Sequence, residues 1–234
     1  MKRLSVLGVF AGLAGSAMGQ TSLELSVRLS SDGGASWHSE ISILPGSTVK
    51  VAVWAFGTGA DYYGFGGATL RLRVLGVEHG DQMVFAPGTA TGRVSPFDFG
   101  AATNAIYRDD PSTFRIDAAS DAADASTTAG MTFLQRDPAT ASPGTFSTAD
   151  PAMVFRFDYV VGGDSFIGGQ MFELDQLSRG VAGYYSSANA SRVTTTSNVT
   201  FHSAFITPRP TPGPLAAFAA AAGLAHARRR RARV

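Results

Sequence analysis

Residues 23–30 read Leu23-Glu24-Leu25-Ser26-Val27-Arg28-Leu29-Ser30, an unbroken alternation of apolar and polar side chains. A period of two places every second residue on the same side of an extended chain, so this run predicts a strand with one buried face. The pattern recurs. Val49, Val51 and Val53 alternate with Lys50, Ala52 and Trp54, after the turn Pro45-Gly46-Ser47. Residues 68–77 set Leu70, Leu72 and Val74 opposite Arg71 and Arg73, and residues 154–161 set Phe155, Phe157, Tyr159 and Val161 opposite Arg156 and Asp158. Further strands are expected around Phe114 to Ile116, Met131 to Phe133, Phe172 to Leu174, and the run Val199, Phe201, Ser203, Phe205. Gly, Pro, Asn and Asp clusters separate these runs, and no stretch between the two ends keeps a helical period. Many short alternating strands point to an all-β chain, a single β-sandwich of Ig-like, cohesin-like or jelly-roll kind. Residues 118–129 read as one short helix or a polar loop.

The composition agrees with this reading. The chain has 234 residues, 27 of them Gly and 16 Phe, and only 16% are charged. Its apolar fraction of 44% is too high for disorder. Lysine occurs only at Lys2 and Lys50. Seven of the 19 basic residues lie in residues 1–19 and 215–234 and none of the 18 acidic ones does, leaving 12 basic and 18 acidic residues between them, net −6. A mildly acidic body excludes nucleic acid as its partner, because phosphate binding needs a basic surface. There is no cysteine, so disulfides, thiolate catalysis and Cys-based zinc sites are excluded, and core packing alone must hold the domain.

Both ends read as sorting segments. Met1-Lys2-Arg3 is a positive start, residues 4–13 are apolar, and residues 14–19 are small, the layout of a secretory signal peptide too short to span a bilayer. Cleavage after Gly19 puts Ala17 at −3, and cleavage after Ala17 is the alternative. At the other end Pro208-Arg209-Pro210-Thr211-Pro212-Gly213-Pro214 reads as a stiff extended spacer, with the sorting motif over Pro210 to Pro214. It precedes the alanine-rich run 215–227 and the cluster Arg228, Arg229, Arg230, Arg231. A helix over that run rises about 20 Å, short of a hydrocarbon core of about 30 Å. The arginines would stay cytoplasmic. The division is therefore 1–19 signal peptide, 20–207 sandwich, and 208–234 spacer, apolar helix and basic tail.

The order of Pro motif, apolar run and terminal Arg cluster resembles the sorting tail of PEP-CTERM exported bacterial proteins, with Pro212-Gly213-Pro214 standing where that family has Pro-Glu-Pro. The resemblance implies export machinery and an exosortase-like sorting enzyme as partners. It also implies transient membrane anchoring through the C-terminal helix, and a final place in the cell envelope, on the outer surface or outside the cell. Residues 44–54 and 63–73 resemble the opening strands of cohesin-like sandwich domains, which implies a role in adhesion or scaffold assembly.

Ser30-Ser31-Asp32-Gly33-Gly34-Ala35-Ser36-Trp37 fits the Asp-box pattern S-x-D-x-G-x-[ST]-W of sialidase-type propellers. In such a turn Asp32 accepts hydrogen bonds from turn amides, Gly34 takes a positive φ, and Trp37 packs the hairpin. A propeller repeats the motif in each blade; one copy here makes it a structural turn. His38, His79, His202 and His226 show no metal-ligand spacing. Gly163-Asp164-Ser165-Phe166-Ile167 lacks the last Gly of a nucleophile elbow. Asp109, Asp110, Asp117, Asp121 and Asp124 leave Ca²⁺ as the one cofactor still open, without an EF-hand pattern. Asn189-Ala190-Ser191 and Asn198-Val199-Thr200 match the glycosylation sequon. No catalytic residue and no metal ligand emerges.

The leading expectation is an exported, envelope- or matrix-targeted structural or binding protein that is not an enzyme, with polysaccharide as a further partner. Behind it stands a secreted carbohydrate- or protein-binding module of cohesin-like or lectin-like type, with Trp54, Tyr62, Tyr63, Tyr184 and Tyr185 as contact aromatics. Last comes a polysaccharide hydrolase, which needs two carboxylates converging in a cleft.

Overall fold

The computed structural model describes residues 20–89, 91–100, 103–118, 130–163, 168–175, 181–195 and 197–209. The signal residues Ala17 and Gly19, the motif from Pro210 to Pro214, Arg228 to Arg231, Ser165, and residues 119–129 with Asp121 and Asp124 all lie outside them. Fourteen strands run in chain order among the described residues: β1 Ser22–Ser30, β2 Glu40–Ile43, β3 Thr48–Thr58, β4 Gly64–Leu75, β5 Gln82–Phe85, β6 Asn104–Asp110 and β7 Thr113–Ala118. They continue with β8 Met131–Leu134, β9 Ala152–Val160, β10 Gln170–Asp175, β11 Val181–Tyr185, β12 Val193–Thr195, β13 Val199–His202 and β14 Ala204–Pro208. The described chain is all-β, with one 3-10 turn at Pro138–Thr140.

The strands form a sandwich. A five-stranded sheet has the order β13-β1-β3-β9-β5, and a nine-stranded sheet contains β12-β11-β4-β10-β14-β2 with β6, β7 and β8 alongside. The alternation read from the sequence points the predicted residues inward. Leu23, Leu25, Val27 and Leu29 of β1, the valines 49, 51 and 53 of β3, and Phe155, Phe157 and Tyr159 of β9 are all buried. They share one core with Leu70, Leu72 and Val74 of β4 and Phe172 and Leu174 of β10. Truncating one such Leu to Ala costs about 2–5 kcal/mol, which is how a chain without cysteines is held.

Strand β4 departs from the half-buried pattern. It starts at Gly64 rather than at residue 68, and its residues 67–69 pair with both β8 and β11 while 72–75 pair with both β7 and β10. Both edges of the strand are thus covered, and its polar face is closed at Arg71. Arg71 is buried, and its Nε lies 2.9 Å from Oδ2 of Asp117. Arg115 of β7 reaches the same oxygen at 2.8 Å and Asp109 of β6 at 2.9 Å. Arg73 continues the row outward to Glu173 at 2.7 Å. Arginines on a strand's outer face thus become buried wherever a neighbouring strand supplies carboxylates opposite them.

The run from Val199 to Phe205 is not one strand. It breaks at Ser203: β13 lies parallel to β1 in one sheet, and β14 lies parallel to β2 in the other. The buried phase flips at the break, so Ala204 and Ile206 enter the core while Phe205 stays 43% exposed.

A second clamp joins the sheet to its loops. Buried Asp81 accepts hydrogen bonds from the Tyr159 hydroxyl at 2.7 Å, from Gly162 N at 2.6 Å and from Glu78 N at 2.7 Å. Burial, followed by the bond to Asp81, pushes the Tyr159 phenol far up. Burial likewise raises Tyr62, and it pushes Tyr185 up to about 12.

Two outcomes follow. Asp117→Ala leaves two guanidinium groups facing a lost buried partner and is expected to cost about 3–5 kcal/mol in denaturant unfolding, whereas a loss under about 1 kcal/mol would mean that the pair is solvated. The tyrosine phenols are held neutral in the folded state, so their contribution is intact below the unfolded value near pH 10 and is lost as pH rises above it. In an alkaline titration followed at 295 nm and by circular dichroism, three of the six tyrosines are expected to ionise only with loss of the sheets. Six ionisations near pH 10 with the sheets intact would contradict this.

Candidate functional site

The even residues of β1 face away from the core and meet the even residues of β3. Glu24 lies opposite Phe56, Ser26 opposite Trp54 and Arg28 opposite Ala52. On the other side of β1, Ser26 lies opposite His202 of β13. Glu24, Ser26, Arg28, Phe56 and His202 floor a groove of about 610 Å³ on the outer face of the five-stranded sheet. Its wall is the segment Trp37 to Glu40, and its end is Ser203, where the chain crosses between sheets. A neighbouring depression of about 170 Å³ reaches Thr58 and Asp150, and Glu24 and Phe56 line both. Together they make an open channel across the sheet.

The wall is built by the Asp-box residues. Ser30 Oγ donates to Asp32 Oδ1 at 2.6 Å and accepts from Gly34 N at 2.8 Å. Ser36 N donates to Asp32 Oδ1 at 3.0 Å, and Ser36 Oγ to Oδ2 at 2.6 Å. Hydrogen bonds from Ser30, then Ser36, hold the Asp32 carboxyl well below the usual carboxylate range. Gly34 has φ +101°, a conformation that a side chain would strain. The turn folds back over the sheet, where Trp37 meets Trp54 edge-on with ring centroids 6.0 Å apart. Main-chain bonds in both directions between His38 and Leu29 fasten the returning strand.

Charge in the channel is mixed and mostly acidic. Glu24, Glu40 and Asp150 line it, with Arg28 as the guanidinium among the lining residues. The Arg28 guanidinium lies over the Phe56 ring at 5.2 Å, and its Nε donates to Ser26 Oγ at 3.3 Å. His202 Nε2 lies 3.5 Å from Glu24 Oε2, both about half exposed. His38 Nε2 lies 3.0 Å from Ser36 Oγ. Two of the histidines without ligand spacing in the sequence thus share one groove.

The aromatics expected to make contacts are placed elsewhere. Tyr185 is fully buried, its ring edge-on to Phe146 and its hydroxyl donating to Arg136 O at 2.6 Å, so it contacts no partner. Tyr63 is exposed but stacks on Phe146, and half-buried Tyr62 and Tyr184 lie against each other. Trp54 sits behind Trp37.

The acidic cluster is engaged as well. Asp109 and Asp117 hold Arg115. Asp110 accepts from Ser112 Oγ and N at 2.7 Å each, and these bonds lower its carboxyl. Among the described residues no group of three or more His, Asp or Glu is placed to hold a metal ion. Asn198 takes φ +59° at the entry to β13, and its carbonyl accepts from Leu23 N at 2.9 Å.

The fold and groove define an all-β sandwich with an open channel on one sheet. The sequence matches no protein-family model and no curated protein. Solved structures similar to this chain are cohesin modules. The sixth cohesin of scaffoldin B from Acetivibrio cellulolyticus, solved in complex with a Cel5 dockerin, is 14% identical, with 80% of this chain and 99% of that one covered at a TM-score of 0.43. The seventh ScaB type I cohesin of Pseudobacteroides cellulosolvens is 7% identical, with 81% and 94% covered at 0.42. A type III cohesin from the cell-surface anchoring scaffoldin ScaE of Ruminococcus flavefaciens is 11% identical, with 90% and 100% covered at 0.36.

Asp32→Ala removes the acceptor around which the turn closes and should free Trp37 from Trp54. The expected result is a red shift of tryptophan emission with the sheets intact. An unchanged spectrum would show that the turn does not hold the groove wall.

Proposed function

We propose that this chain is an exported binding protein of the cell envelope or extracellular matrix, with the channel on the five-stranded sheet as its contact surface. One observation carries the reading: the Asp-box turn, β1, β3 and β13 converge on a single open channel with carboxylates, imidazoles and aromatic rings in its lining. Contact surfaces of this kind combine aromatic anchors with polar groups that fix orientation. The ends supply the route. A signal over residues 1–19 delivers the chain to the export machinery, and the Pro-Gly-Pro, apolar and arginine tail is handed to an exosortase-like enzyme after transient anchoring. Among the described residues no helix is long and apolar enough to cross a membrane.

A hydrolase is the second reading, since Glu24 and Glu40 line one groove. General acid catalysis asks for a carboxyl group shielded from water, and both glutamates are exposed. Binding is the better account.

The mature protein is expected to be retained on washed envelopes prepared from cells lacking it, and Glu40→Lys or Phe56→Ala should release it without altering its circular dichroism. Its intact mass should begin at Gln20. Retention indifferent to both substitutions, or a native chain that keeps Met1 among cytosolic contents, would overturn the reading.

A further inference from the structure

The Asp-box turn and the groove share a chain of hydrogen bonds. Ser36 Oγ has one hydrogen, and it lies 2.6 Å from Asp32 Oδ2, which as a carboxylate oxygen can only accept. The hydroxyl is thereby committed as a donor to Asp32 and offers lone pairs to its other neighbour. That neighbour is His38 Nε2 at 3.0 Å, so Nε2 carries the hydrogen and donates. A neutral imidazole with Nε2–H has a bare Nδ1. His38 lines the groove, so the turn adds one more acceptor to a channel already lined by Glu24, Glu40 and Asp150.

The Arg28 and His202 donors in the channel are turned to the protein itself. Arg28 is turned onto Phe56 and Ser26, and His202 faces Glu24. Glu40 forms no ion pair among the described residues. Two further features bear on the class of partner. One face of Phe56 is covered by Arg28, which takes that face from a sugar ring that would stack there. Val27 lines the groove although its side chain is buried in the core, so it presents main chain there. That main chain lies between the β13 pairing, which ends at Ser26, and the His38 bridge at Leu29. That single residue of strand main chain is a contact for an extended peptide.

We propose that Asp32 and Ser36 are positioning residues that present His38 Nδ1 as an acceptor, and that the channel takes a lysine- or arginine-bearing polypeptide segment of another protein. The proposal rests on the channel being the contact surface, and it adds the chemistry of the occupant. Charge complementarity carries it: Glu40 without an ion pair, Asp150, and Glu24 facing His202 stand with the imidazole lone pair of His38 against one guanidinium that is already engaged. An Asp-box turn read as purely structural is thereby tied to ligand choice.

Three measurements on the mature protein test it. Long-range ¹H–¹⁵N spectra of the free protein at alkaline pH should show His38 protonated at Nε2. A dominant Nδ1–H form would overturn the hydrogen-bond chain. Calorimetric titration with hexalysine should show binding that weakens about tenfold, the worth of one charge-assisted hydrogen bond, in Glu40→Gln and in Ser36→Ala. Ser36→Thr should restore it, and Asp175→Asn, outside the channel, should leave it unchanged. Equal weakening by Asp175→Asn would mean attraction to overall charge and would overturn the proposal. If cellohexaose binds and hexalysine does not, the occupant is a glycan and the proposal is wrong. If neither binds while envelope retention still depends on Glu40 and Phe56, the cationic-peptide proposal fails and the binding function stands. If retention is lost as an observation too, both fall.

Discussion

Strand β4 is paired along both edges and buried over most of its length, and that constraint shapes the rest of the molecule. Twelve residues of main chain must find hydrogen-bond partners away from solvent, which is why β7, β8, β10 and β11 all pair with it. Its apolar face supplies Leu70, Leu72 and Val74 to the core. Its polar face places Arg71 where only a carboxylate makes burial tolerable, and Asp117 answers it. With no cysteine in the chain, the join between this covered sheet and the five-stranded one rests on apolar packing. The second sheet is left with an open outer face, and the groove lies there.

How much of this was legible follows from what a side-chain pattern can encode. The alternation over residues 23–30 matches β1 to within a residue, and the inward phases of β3 and β9 were readable for the same reason. Alternation alone hid the start of β4, because Gly64-Phe65-Gly66-Gly67 carries almost no pattern, and only the cohesin-like resemblance over 63–73 reached it. Those glycines are where neighbours come close: a Cβ on Gly67 would stand 2.5 Å from the Phe133 carbonyl, and one on Gly66 2.7 Å from Arg192 Cδ. Short edge pieces such as β5 and β12 offer too few residues for a period to appear. The break at Ser203 was invisible because the run of apolar residues continues through it while the chain changes sheets.

The candidate site was legible only in fragments. Asp32, Ser36 and Trp37 stood out as a turn motif, and the polar phase of β1 announced Glu24 and Arg28 as outward-facing. Nothing in a single sequence brings His202 to Ser26, since their register joins two strands about 175 residues apart. Tyr185 misled for a related reason. An aromatic in an alternating run carries no label for which side is core, and here the core side took it.

Fold and function meet at β1, whose odd residues fill the sandwich and whose even residues floor the channel. A substitution that shifts its register by one would exchange the two sets, so stability and recognition are written on the same strand. The most direct measurement is amide hydrogen exchange of the mature protein with and without washed envelopes. Slowed exchange confined to residues 24–28, 37–40, 56–58 and 202–203 is the expected footprint. Protection appearing instead across β4, β7 and β10, with the channel residues unchanged, would contradict the account.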